Sequence, residues 1–96
     1  MWIGTVVGNV VSTSKDESLV GSKLLIVKPM SNSSANKIGL IVAVDTVGAG
    51  SGERVLVLQG TSARLILNNK NSAVDAAIVG IIDSIELDER LLNDAD

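Results

Sequence analysis

Trp2-Ile3-Gly4-Thr5-Val6-Val7-Gly8-Asn9-Val10-Val11 is the stretch whose pattern decides the fold. It divides into two alternating sets, Ile3, Thr5, Val7, Asn9 and Val11 against Trp2, Gly4, Val6, Gly8 and Val10, and it is rich in β-branched residues. A period of two with β-branching predicts a strand. Gly4 and Gly8 fall in the same set, where they leave room for a neighbouring backbone or a sharp bend of the sheet, as the closing of a small barrel requires.

Four more strand-like runs follow. Lys23 to Lys28 contains Leu24-Leu25-Ile26-Val27 and is closed by Pro29, which cannot donate to a central ladder. Ile38 to Asp45 is a predicted third strand and Arg54 to Gln59 a fourth, the latter with Val55, Leu56, Val57 and Leu58 apolar on both faces. Gly48-Ala49-Gly50-Ser51-Gly52 between them reads as a turn joining two antiparallel strands, or as a loop approaching a neighbouring subunit. Thr61 is expected to cap one or two helical turns reaching Leu67, because its hydroxyl accepts from the free N–H groups of a first turn, and Asn68 to Ser72 breaks the helix. Ala76 to Leu87 is the last predicted strand. Ser12 to Glu17 and Pro29 to Lys37 are polar connections, the second holding a glycosylation-type triplet, Asn32-Ser33-Ser34, that without an export signal marks only a polar loop. Residues 1–87 therefore read as one all-β barrel or sandwich, and 88–96 as an acidic tail that forms a short helix or frays.

Composition narrows the function. The 96 residues include 13 Val, 9 Ile and 11 Leu but a single aromatic residue, Trp2, so aliphatic side chains supply the core and Trp2 is a core or interface anchor. Without Cys or His there is no thiolate chemistry, no Cys/His zinc site and no imidazole-dependent dyad or triad. Mean hydropathy is +0.39, high for a small soluble domain, and burial of apolar surface between copies reconciles the two. The net charge of −3 is uneven: residues 83–96 hold six acids and one Arg, leaving the rest of the chain at +2. A near-neutral body without basic clusters or stacking aromatics argues against nucleic-acid binding. No run of about 18 to 20 apolar residues is present to span a membrane, and Met1 to Ser14, interrupted by Gly4, Thr5, Gly8 and Asn9, does not resemble a signal peptide. A cytosolic protein without cofactor or metal is expected.

The catalytic candidates have plainer readings. Gly48, Gly50 and Gly52 invite comparison with phosphate loops, but the spacing is G-x-G-x-G, a strand rather than a helix follows, and no Lys-Ser/Thr completes a P-loop. Asp45, Glu53, Asp75 and Asp83 contain the carboxylates for an acid–base pair. Asp45 and Glu53, however, bracket the glycine turn, where carboxylates accept backbone N–H bonds, and Asp75 is placed to cap the entry to the last strand. Ser62 beside Arg64, with Lys15, Lys23 or Lys70 as base, lacks the S-x-x-K or nucleophile-elbow pattern. Ser62 is instead assigned to a first helical turn and Arg64 to an ion pair with Glu53 or Asp75 of the same or an adjoining subunit. Asn68, Asn69, Lys70 and Asn71 lack the spaced acids of a calcium loop.

Four blocks in order carry a family resemblance: Gly8-Asn9-Val10-Val11-Ser12-Thr13-Ser14-Lys15; Leu19-Val20-Gly21-Ser22-Lys23-Leu24-Leu25; Asp45-Thr46-Val47-Gly48-Ala49-Gly50-Ser51-Gly52-Glu53 with Gly60-Thr61-Ser62-Ala63-Arg64; and Val74-Asp75-Ala76-Ala77-Ile78-Val79-Gly80-Ile81-Ile82-Asp83. The chain resembles the bacterial microcompartment vertex proteins, the EutN/CcmL family, over nearly all of residues 1–87. Ala73 stands where the family often has Pro, and Thr61 where Ser is common. The resemblance implies a small five-stranded OB-like β-barrel with one short helix, assembled as a cyclic homopentamer that caps the five-fold vertices of a polyhedral shell and meets hexameric shell proteins. It implies a structural rather than enzymatic role, with a mild preference for a catabolic compartment over a carboxysome. An OB-like ligand- or oligonucleotide-binding module is the alternative.

On the same resemblance, Gly48, Ala49, Gly50, Ser51, Gly52, Glu53, Ser62, Arg64 and Asp75 are candidates for subunit contacts or the central opening. Glu53 and Arg64 would supply charged contacts, and Asp75 would brace the last strand. Gly50→Val is expected to abolish the ring while leaving soluble monomer or aggregate, and an intact five-fold ring of this variant in native mass spectrometry would refute that assignment.

Overall fold

The computed structural model of the chain describes residues 1–11, 23–30, 39–67 and 75–94. It contains β1 (Trp2–Val10), β2 (Leu24–Pro29), β3 (Ile41–Asp45), β4 (Arg54–Gln59), α1 (Thr61–Ile66), β5 (Ala76–Ile82) and α2 (Glu89–Asp94). The strands close into a barrel in the order β1-β2-β3-β5-β4. Neighbours are antiparallel except β3 and β5, which run parallel through Val44↔Ala77 and Asp45↔Ile78. Of the barrel and the sandwich that the strand pattern allowed, this is the barrel, as the family resemblance implied, and residues 89–94 of the acidic tail form a second short helix.

The interior is lined by Val6, Leu25, Val27, Ala43, Val55, Val57, Ala76 and Ile78, with Trp2, Ile41 and Ile81 packed against them at the margins. Aliphatic side chains alone fill the interior of this five-stranded barrel. Trp2 closes one end, its indole N–H donating to Gln59 Oε1 at 2.7 Å across the β1–β4 pairing.

Several local expectations change. The glycine segment does not join a hairpin, because β5 lies between β3 and β4 and the segment instead crosses the end of the barrel. β3 begins at Ile41, with Gly39 and Leu40 outside the strand. β5 ends at Ile82 rather than Leu87, because Ile82 already pairs with Arg54, the first residue of β4, and no ladder remains beyond it. Thr61 is the first residue of α1 and not its cap. Gly60, at φ 70°, holds the N-cap position, and no side chain caps the helix. The polar connection expected at Ser12 to Glu17, most of that at Pro29 to Lys37 with its triplet at Asn32, and the helix break expected at Asn68 to Ser72 lie outside the described residues.

Gly4 and Gly8 do not share a face. The register with β2 shifts between Val6 and Gly8, a bulge at Val7 that reverses the alternation of β1. Gly4 faces the core, where a Cβ would lie 2.5 Å from Val27 Cγ1, 2.8 Å from Trp2 Cζ3 and 2.9 Å from the Lys28 carbonyl oxygen. Gly8 faces out, opposite Ile26, with its nearest neighbour the Ile26 Cδ1 at 3.6 Å. The room at Gly4 is thus filled by β2 itself, and the bend is made by the bulge. Gly4→Ala is expected to lower stability by about 2 kcal/mol, since the Lys28 backbone cannot yield without disturbing its ladder; urea unfolding followed by the emission of the sole Trp, Trp2, measures it, and an unchanged midpoint would contradict the packing.

Candidate functional site

The segment from Asp45 to Glu53 is shaped by two carboxylates. Asp45 Oδ1 accepts from the N–H of Val47 at 3.0 Å and of Gly48 at 3.1 Å, and Oδ2 accepts from Ala49 N–H at 2.9 Å. The Asp45 side chain is 1% exposed, and its charge is met by Lys23 Nζ at 3.6 Å. Lys23 in turn donates to the Ala49 carbonyl at 3.1 Å, so both ends of the Ala49 peptide are tied to one ion pair. Glu53 Oε1 accepts from Gly50 N–H at 2.6 Å, and Glu53 N–H donates back to the Gly50 carbonyl at 3.1 Å. These carboxylates are structural acceptors, as their bracketing of the glycines suggested. Asp45 accepts three backbone N–H bonds and Glu53 one, so both side chains are committed to the shape of the segment.

The glycines have unlike reasons to be there. Gly48 and Gly52 adopt φ of 79° and 88°, which residues with a Cβ rarely tolerate, while open space surrounds both. Gly50 has no such constraint, and a Cβ there would stand 3.3 Å from Glu53 Oε1. Gly52 N–H donates to the Val6 carbonyl at 2.8 Å and Val6 N–H to the Glu53 carbonyl at 2.9 Å, which fastens the end of the segment to β1. Of the predicted contact block, Gly48, Ser51, Gly52 and Glu53 are exposed and Gly50 is half-buried. Ala49 points into the core and offers no surface.

The other candidates lie at the α1 end of the barrel. Ser62 is exposed in the first turn of α1. Asp75 acts through its backbone carbonyl, which accepts from Gly60 N–H at 2.8 Å and so ties the start of α1 to the start of β5; its side chain is exposed. Arg64 pairs with neither Glu53 nor Asp75 within the chain, where the ion pairs among the described residues are Lys23–Asp45 and Arg90–Asp88. Its Nε is buried without an acceptor among the described residues.

Sequence reasoning did not single out the outer wall of the barrel. Gly8, Ile26 and Val42 sit opposite one another across β1, β2 and β3, facing away from Val27 and Ala43. Ile3, Leu56 and Gly80 do the same across β1, β4 and β5. The signal was present in β2 and β4, whose runs are apolar at every position from Leu24 to Val27 and from Val55 to Leu58. Among the described residues no three acids gather as a metal site would require. Asp45→Ala would remove the acceptor shared by three N–H groups, leaving that of Ala49 part-buried without a partner, with an expected loss of about 2 kcal/mol in chemical denaturation; a loss within experimental error would show that the carboxylate does not hold the segment.

Comparison with known proteins assigns this architecture. The family model described as "Ethanolamine utilisation protein EutN/carboxysome" matches residues 1–83. The bacterial microcompartment shell vertex protein GrpN of Rhodospirillum rubrum is 50% identical over 86 residues, spanning 90% of this chain and 97% of that protein. PduN of Salmonella typhimurium, also a microcompartment shell vertex protein, is 46% identical over 89 residues, spanning 88% and 98%. A pentameric GrpN shell protein structure from R. rubrum superposes with a TM-score of 0.76 at 49% identity, covering 92% of this chain and all of that one. The carboxysome subunit CcmL superposes at 0.80 with 42% identity and 93% coverage of both chains. With a matching model over most of its length and relatives of this identity spanning nearly all of it, the chain belongs to the EutN/CcmL family.

Proposed function

We propose that this protein is a structural shell component whose five copies form a closed ring at the five-fold vertices of a bacterial microcompartment. The observation that carries the reading is the match, at up to half identity and near-complete coverage, to proteins named as shell vertex proteins, one of them solved as a pentamer. The work such a subunit does is geometric. Flat hexagonal tiles cannot enclose a volume, and a five-fold unit placed among them supplies curvature. Its contacts are heterologous, one face of each copy meeting a different face of the next, and a rotation that closes after five steps leaves no free end.

The barrel is built for such contacts. A closed sheet has no edge with which to add strands, so copies associate through walls, loops and helices. The two apolar stripes on the outer wall supply surface to bury, and the Gly48–Glu53 segment, held rigid by its own carboxylates, supplies a preformed loop for the contact or the central opening. Ser62, Arg64 and Asp75 form a second candidate contact region. Hexameric shell proteins are the neighbouring partners, the bacterial cytoplasm is the location, and the role is non-enzymatic. The relatives favour this reading over a ligand-binding module. Native mass spectrometry is expected to give about 50 kDa, five copies of the 9.9 kDa chain; a stable monomer would overturn the vertex assignment.

A further inference from the structure

Around the wall, β1–β2 and β4–β5 pair over six residues each, and β1–β4 and β2–β3 over four. β3 and β5 pair over two, and in parallel, the arrangement with slanted and slightly less stable ladder bonds. Yet this join alone makes a barrel of what is otherwise an open sheet in the order β3-β2-β1-β4-β5. Such a sheet would have two free edges, and the inner side chains of its edge strands, Ala43 and Ile78, would lose the burial they have in the barrel.

The Asp45–Glu53 segment reaches across the join. On the β2 side, the carbonyl of Lys23, the residue before β2, accepts from Asp45 N–H at 2.9 Å, and Lys23 Nζ donates to the Ala49 carbonyl at 3.1 Å. On the β5 side, Thr46 donates twice to the Ile78 carbonyl, from Oγ1 at 2.7 Å and from its N–H at 3.3 Å. At its far end Gly52 and Glu53 bond to the backbone of Val6 on β1. The segment is stiff between these ties, because the Asp45 carboxylate holds the N–H groups of Val47, Gly48 and Ala49 and the Glu53 carboxylate holds that of Gly50. A stiff piece fixed to β2, β5 and β1 holds the two sides of the join together. Among the described residues, Thr46 is its only hydrogen-bonded tie to β5.

We infer that this segment is the strap that keeps the barrel shut: the wall opens locally at the β3–β5 join, against the grip of Thr46 on Ile78, while the β1–β2 and β4–β5 ladders stay paired. Native proteins open first in the cooperative units that cost least, and every other join would break at least twice as many residue pairs.

Amide hydrogen exchange of the native protein, read by NMR at a series of urea concentrations below the unfolding transition, tests the strap. Successive strand residues direct their N–H groups to opposite edges, so one of Ala77 and Ile78 faces β3. That amide and the N–H of Thr46 are expected to share one opening, with less protection and a weaker urea dependence than the slowest amides of the β1–β2 ladder. Thr46→Val keeps the branching but lacks the hydroxyl, a bond broken in both local and global opening, so exchange at the join and in the ladder is expected to quicken about tenfold. Thr46→Ser, which keeps the hydroxyl, is expected to retain native rates. Gly4→Ala crowds the β1–β2 pair, which stays closed when the join opens, and is expected to quicken the ladder while leaving the join unchanged. A join amide of β5 as protected and as urea-sensitive as the ladder would overturn the inference. So would an unchanged rate at that amide in Thr46→Val, or a quickened one in Gly4→Ala.

Discussion

The seam between β3 and β5 is two residue pairs wide, and the barrel closes only through it. Its neighbours compensate for its shortness. Thr46, just past the end of β3, sends both its Oγ1 and its N–H to the Ile78 carbonyl, at 2.7 and 3.3 Å. Asp45 occupies the last rung, with its backbone N–H on the Lys23 carbonyl and its carboxylate filled by the segment that follows. The residue that completes the seam therefore also sets the course of the chain toward β4. The seam and the loop that follows it thus share one buried carboxylate at a strand terminus, whose three N–H bonds and half-exposed lysine partner offset the cost of taking its charge out of water.

What the sequence made legible was local. Alternation and β-branching located the strands, a carboxylate on each side of three glycines located the clamped segment, and the uneven distribution of acids located the tail. Strand order was less accessible, because the insertion of β5 between β3 and β4 is decided by pairings more than 30 residues apart, such as Asp45↔Ile78. A glycine-rich stretch between two strands looks like a hairpin until a third strand is known to separate them. The bulge at Val7 was hidden for a related reason: one extra residue leaves the local pattern intact while exchanging the faces on which Gly4 and Gly8 lie. Thr61 shows the limit of residue preference, since the backbone turn at Gly60 decided where the helix starts.

The candidate contact residues divide along the same line. Glu53 and Asp45 were recognisable as turn acceptors because their partners are a few residues away. Ala49 was chosen for its smallness, which proves to serve the core. Arg64 was assigned a carboxylate that the chain, among the described residues, does not provide. Whether a partner lies beyond the chain cannot be read from one chain's pattern, and the same holds for the outer stripes, whose apolar character is visible in β2 and β4 although its use is not. The excess hydropathy noted at the outset is therefore distributed over the wall and both helices rather than concentrated in the core.

Closure of the barrel also dictates when the protein comes into being. β1 pairs with both β2 and β4, and β4 completes its ladder with β5, whose last residue is Ile82 of a 96-residue chain. Nearly every strand contact joins distant parts of the sequence, a topology that folds slowly because loop entropy is spent before any pairing repays it. During synthesis, then, β1 and β2 can pair early, but the barrel cannot close until β5 is available to join β3 and β4. Closure of the wall by its last strand is thus the step that completes the outer surface available to other copies.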